Sequence, residues 1–147
     1  QSLRFYLQAF LILGMKYLSL LFITIITAAA CSTSNQPVPA ENATDAGREF
    51  VRAVLDGNFD RASFYLLQDS TNQLLFNQQK ENYKKMKDVE RRDYKDASIR
   101  PVGIVPQNDS ITIFRYYHSA NAKDTTPLRI VRKDGQWLVD LKSVIKM

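Results

Sequence analysis

Three patterns of apolar and polar positions divide the chain. Residues 3–30 are almost unbroken apolar sequence, interrupted by Arg4, Gln8 and Lys16. From Thr44 the spacing becomes helical, with Phe50, Val51, Val54 and Leu55 on one face and Arg48, Glu49, Arg52 and Asp56 on the other. Beyond residue 97 the chain is rich in β-branched and aromatic residues separated by turn chemistry, the mark of strands.

The helical part divides at its punctuation. Asn42 or Thr44 is placed to cap the first helix, and Gly57 to supply the left-handed residue that ends it. A second, shorter helix is expected from Asp60, with Ala62, Phe64, Tyr65, Leu66 and Leu67 apolar. Ser70 and Gln73 have the spacing of a capping box, which opens a third helix running to about Glu90. Its apolar positions are sparse, mainly Leu74, Leu75, Tyr83, Met86 and Val89. It should therefore lie mostly exposed, with Lys80, Lys84, Lys85 and Lys87 in solvent.

Four strands are expected at residues 97–105, 111–118, 128–133 and 136–143. Asp134-Gly135 is the strongest turn signal, because a two-residue type I′ turn needs positive φ at both central positions. Its register puts Lys133 opposite Gln136, Arg132 opposite Trp137, Ile130 opposite Val139, Arg129 opposite Asp140 and Leu128 opposite Leu141. One face then carries Leu128, Ile130, Trp137, Val139 and Leu141, with Trp137 largely buried. The other carries Arg129, Val131, Leu138 and Asp140, with Arg129 and Asp140 as an exposed cross-strand ion pair. Three helices followed by a meander of strands predict an α+β fold in which three N-terminal helices pack on a curved four-stranded antiparallel sheet.

The apolar beginning decides where such a domain would work. Met15 reads as the true start, leaving residues 1–14 as an upstream extension outside any fold argument. Lys16, the apolar run from Tyr17, and Ala28, Ala29 and Ala30 follow in the order of a secretory signal, residues 15–30. The single cysteine comes next, and Ala28-Ala29-Ala30-Cys31 resembles the lipobox of bacterial lipoproteins, although Ala28 stands where that pattern usually has Leu. The resemblance implies cleavage between Ala30 and Cys31 and lipidation of Cys31. An uncleaved membrane anchor and a buried core helix are the alternatives; no stop-transfer cluster of charges follows the run.

Residues 31–43 then form a small, polar, proline-bearing tether with nothing to bury, and residues 44–147 form the domain. Ser32, in place of Asp, resembles lipoproteins passed on to the outer membrane in enterobacteria, and the lack of an acidic cluster leans toward the periplasmic face of a Gram-negative envelope. The expected location is thus the cell envelope, with the membrane itself as the first partner.

Charge and composition narrow the chemistry. Arg4 and Lys16 fall in the removed part, so the mature chain has 18 basic against 15 acidic residues, a net charge of +3. Interleaved charges so near balance, on an exported chain, argue against nucleic-acid binding. Lipidation consumes the only cysteine, so no disulfide is available. No Cys/His cluster or glycine-rich phosphate loop is present, and there is one histidine. No metal and no cofactor is implied.

Two segments carry a further resemblance: EFVRAVLDGNFDRA at residues 49–62 and RIVRKDGQWLVD at residues 129–140. With the element order, they resemble uncharacterised bacterial lipoproteins of the nuclear transport factor 2-like superfamily, whose α+β domain is cone-shaped. The resemblance implies fold more than activity. Sheet-face dimers are frequent in that superfamily, and some members are isomerases or dehydratases with an Asp, Tyr or His inside the cone. The candidates here are Tyr116, Tyr117, His118, Asp109 and Asp140. His118 closes a strand and reads as a rim residue, sharing parity with Thr112, Phe114 and Tyr116, while Ile111, Ile113 and Tyr117 share the other face. Asp140 faces Arg129, Asp109 belongs to a turn, and the tyrosines read as wall residues. The expectation is a non-catalytic envelope module that binds a partner protein, an envelope polymer or a small apolar ligand. The alternative is a small hydratase or isomerase with an acid or base inside the cone.

Overall fold

The computed structural model describes residues 36–144. The signal, Cys31 and the first residues of the tether lie outside the described residues. Helix α1 (Ala43–Asp56) is capped by Asn42, whose side chain accepts from the Asp45 N–H, and ends at Gly57 with φ 74°. Its apolar stripe is the one read from the spacing, with Ala43, Ala46 and Ala53 buried beside Phe50, Val51, Val54 and Leu55. Helix α2 (Phe59–Phe64) is short, and α3 (Ser70–Lys85) and α4 (Asp88–Asp96) follow. Four antiparallel strands complete the fold: β1 (Ile99–Asn108), β2 (Ile111–His118), β3 (Asn121–Lys133) and β4 (Gln136–Asp140). They pair in chain order as a meander, and a 3-10 turn (Leu141–Val144) closes the described chain.

There are thus four helices, where three were expected. The expected third helix breaks at Met86 and Lys87, both extended with ψ 147° and 157°. Neither Gly nor Pro marks the break. The cause is polarity: Lys84 and Lys85 lie in the last turn of α3, and the Glu90 carboxylate accepts the Lys87 N–H at 2.8 Å to start α4. Each charge complements the helix end it occupies. The cap of α3 also differs from the expectation. Asp69, not Ser70, is the N-cap, its carboxylate accepting the Asn72 N–H at 2.9 Å. Leu74 and Val89, expected on the apolar side, are exposed, whereas Phe76 is buried against Phe50 and Phe59.

Helix α1 lies on the face of the sheet that carries Phe114 and Ile130. Helix α1 approaches closely because residue 47 is glycine; a Cβ there would stand 2.7 Å from Ile130 Cδ1 and 2.9 Å from Phe114 Cδ1. The Asp134-Gly135 turn has φ 51° and 80°, and β3 and β4 pair in the register it dictates, from Lys133 opposite Gln136 to Arg129 opposite Asp140.

Three details of the hairpin depart from expectation. Trp137 is only half-buried: it lies near the turn, beyond the helices, with the Arg132 guanidinium 5.6 Å from its ring centroid. Leu141 is not a strand partner of Leu128 but opens the 3-10 turn. That turn folds over Asp140, which is buried at 1 % exposure despite lying on the face away from the core. Asp140 accepts from Arg129 Nη1 at 2.9 Å and from the Lys142 N–H at 3.2 Å, so the pair with Arg129 is partly buried, not an exposed contact.

The two sheet edges are handled differently. The free side of β4 is covered by the strand-like segment after α2, with the Val139 N–H donating to Tyr65 O at 2.7 Å and the Leu67 N–H to Val139 O at 2.9 Å. β1 is uncovered and carries Pro101 and Pro106. The end of the tether is part of the domain: the Tyr65 hydroxyl donates to Val38 O at 2.9 Å, and Ala40 packs against the core.

Candidate functional site

Helix spacing and strand parity bring five elements, with Leu141 of the 3-10 turn, around one cavity of about 370 Å³. Helix α1 contributes Phe50, Val51, Val54 and Leu55, two pairs one turn apart. Helix α3 contributes Leu75, Gln78, Gln79 and Asn82, one face of that helix at i, i+3, i+4 and i+7. Strand β2 contributes Tyr116 and His118, β3 contributes Thr126 and Leu128, and α4 contributes Tyr94. The floor is apolar. Gln78 and Asn82 are exposed and border the opening. The volume falls in the usual range for small-molecule sites, roughly 300–1,000 Å³.

Two of the expected pocket residues meet here. Tyr116 and His118 keep their common parity because the pairing irregularity beside them is absorbed by β3: Tyr116 pairs with Thr126, and His118 with Asn121. Tyr116 stacks on Phe114 with centroids 5.5 Å apart. Burial pushes its phenol up to about 12, against a hydrogen bond from Thr126, so it is neutral at physiological pH. His118 is therefore a wall residue of the cavity, not a rim residue in solvent. Its ring meets Tyr94 edge-on at 5.1 Å, and burial pushes its pKa below the ordinary histidine value.

The other candidates are elsewhere. Tyr117 has the opposite parity and pairs with Arg100. Asp109 is exposed in the β1–β2 turn, and Asp140 is held by Arg129 and the 3-10 turn. Among the described residues, no group of His, Cys, Asp and Glu is arranged to hold a metal ion, and no helix is long and apolar enough to cross a membrane.

Sequence reasoning missed the α3 and α4 contributions. Gln78, Gln79 and Asn82 share a helical face with Leu75, a signal hidden when only apolar positions are read. Tyr94 depends on α4 being a separate helix. That helix has no buried residue, and its C-terminal end is held by Arg52, whose guanidinium donates to Ala97 O at 2.8 Å, Lys95 O at 3.0 Å and Tyr94 O at 3.3 Å. Arg52 is itself paired with Asp56 at 2.8 Å.

No protein-family model matches the chain, and no curated protein does either. Among solved structures it is similar to an NTF-2-like protein of unknown function from Shewanella oneidensis MR-1, at 13 % identity and a TM-score of 0.45, covering 64 % of this chain and 88 % of that one.

Proposed function

We propose that this chain is an envelope lipoprotein, anchored by lipid on Cys31, whose nuclear transport factor 2-like domain is a non-catalytic binding module for a small, mostly apolar molecule. The cavity between α1, α3, α4 and the sheet is the observation that carries the binding reading. The element order and the two quoted segments support the family assignment, and Ala28-Ala29-Ala30-Cys31 supports the anchor. Ser32 supports outer-membrane placement, and the lack of an acidic cluster after it supports the periplasmic face. Ile111, Ile113, Val131 and Leu138, part-exposed on the outward sheet face, are the surface a homodimer would cover.

Titration of the purified chain with a neutral solvatochromic dye tests the binding reading: saturable emission that a Leu128→Arg variant loses is expected, and a linear, non-saturable response would overturn it. Labelling cells with a fatty-acid analogue tests the anchor, since Cys31→Ala should take up no label.

The second reading, a small hydratase or isomerase, is favoured by His118, an imidazole in the cavity wall. No carboxylate lines the cavity, so no such group there orients the imidazole. The enzyme reading requires turnover of some small substrate to fall at least about a hundredfold in His118→Ala with stability little changed. The binding reading requires no such loss.

A further inference from the structure

The face of the sheet turned away from Phe114 and Ile130 has a composition of its own. Strand partners share a face, so the register assigns its members. Arg100 stands opposite Tyr117, and Arg115 stands between Gly103 and Pro127. Arg129 has Ile113 on one side and Asp140 on the other. Because Arg115 is two residues from both Ile113 and Tyr117 along β2, the three arginines form one diagonal across β1, β2 and β3. Diagonal neighbours on a sheet are roughly 7–8 Å apart, within reach of side chains this long.

Only one end of that diagonal is neutralised. Arg129 pairs with Asp140 at 2.9 Å, and Lys142 shares the same carboxylate at 3.7 Å. Among the described residues no ion pair involves Arg100 or Arg115, and both are exposed. The strand neighbours of Arg115, glycine and proline, offer it no partner. Like charges on adjacent strands repel, so the diagonal works slightly against the isolated domain. Beside it lie Ile111, Ile113, Val131 and Leu138, each only part-buried. Aliphatic residues next to uncompensated arginines have the make-up of a protein interface, whereas a polyanion alone would leave the aliphatic row bare.

We propose that this face docks an acidic amphipathic helix of a different protein, whose carboxylates meet Arg100 and Arg115 and whose apolar stripe covers the aliphatic row. A carboxylate accepts two parallel hydrogen bonds from a guanidinium, which fixes position as well as charge. A helix meets both requirements at once, with an apolar stripe and acids along its border. A second copy of this chain fits the face less well, because it would bring the same arginines. The acid in register on its own face, Asp140, is already held by Arg129. Docking there requires neither the cavity nor the lipid anchor.

Fluorescence anisotropy tests this with the purified chain and a labelled synthetic helix carrying Leu at i, i+3, i+4 and i+7 and Glu along the border of that stripe. Saturable binding is expected, at least about tenfold weaker when Arg100→Glu and Arg115→Glu are combined. Lys85→Glu, the same reversal at an exposed position of α3, should leave it unchanged. No binding of the acidic helix would overturn the proposal, as would equal binding by the doubly substituted chain or by the same peptide with Lys in place of Glu. Polyglutamate binding as tightly as the helix would make the face a polyanion site instead. Arginine-dependent association with phosphatidylglycerol vesicles, or with a second copy in the ultracentrifuge, in place of the helix would assign it to a membrane or to self-association. The peptide series on the unaltered chain needs no substitution, so a variant that fails to fold does not remove the test.

Discussion

The two ends of the helix–sheet sandwich are built on different terms. Where α1 crosses β2 and β3 at Gly47, the contact is dry: Phe114, Ile130, Val139 and Leu66 are all fully buried, and the helix comes so near that a methyl group has no room. Toward His118 and Tyr94 the layers part, polar side chains of α3 border the opening, and α4 covers the gap without burying a residue of its own. One end holds the fold and the other leaves space. Polar residues on a helical face at the open end are the signature of a site, where the same residues at the dry end would be a packing fault.

Substitutions should separate the two ends. Ile130→Ala at the dry end removes a fully buried side chain and is expected to cost about 2–5 kcal/mol by urea unfolding, while the folded fraction keeps its response to the neutral dye. Gly47→Ala should cost about 1–3 kcal/mol, because the added carbon forces Ile130 and Phe114 to shift. An unchanged midpoint would mean that α1 and the sheet have slack. Arg52→Ala leaves carbonyls at the end of α4 without their donor, a loss of roughly 1–3 kcal/mol. Its effect should be confined to the open end: hydrogen exchange of α4 amides accelerates, and that of β3 amides does not.

Acid should distinguish the ends with smaller effects. Burial lowers the folded-state pKa of His118, so as pH falls through about 6.5 the unfolded chain takes up a proton before the folded one does. Stability then declines until the lower folded value is passed, and His118→Gln should flatten that step in a series of melting curves. Asp69, at the start of α3, is lowered to about 2 by the Asn72 backbone N–H and by Lys142. Its contribution is complete above its unfolded value of 3.8 and is lost as pH falls toward about 2. Asp69→Asn should remove the strongly acidic step and leave the one near 6.5 in place.

Local rules made much of this fold legible. Asp134-Gly135 determined a five-residue register because positive φ at two successive positions admits few turns. The stripe on α1 and the bounds of β2 followed from periodicity. What escaped depended on distant parts of the chain. The break at Met86–Lys87 has no glycine or proline to announce it, only basic residues yielding to acidic ones. Asp140 is buried by a turn that follows it in sequence, so its alternation pointed to solvent while tertiary structure covered it. The site was half visible: Tyr116 and His118 could be placed by strand parity, but Gln79 and Tyr94 could not be assigned to it without knowing where α3 and α4 lie.

The uncovered edge of β1 has a consequence for behaviour at high concentration. Proline has no N–H to give to a neighbouring strand, so Pro101 and Pro106 leave an approaching chain two donors short along this margin of the sheet. Leu66 and its neighbours already occupy the opposite margin. An edge strand short of donors resists growing into a fibre, and it does so by omitting two hydrogens.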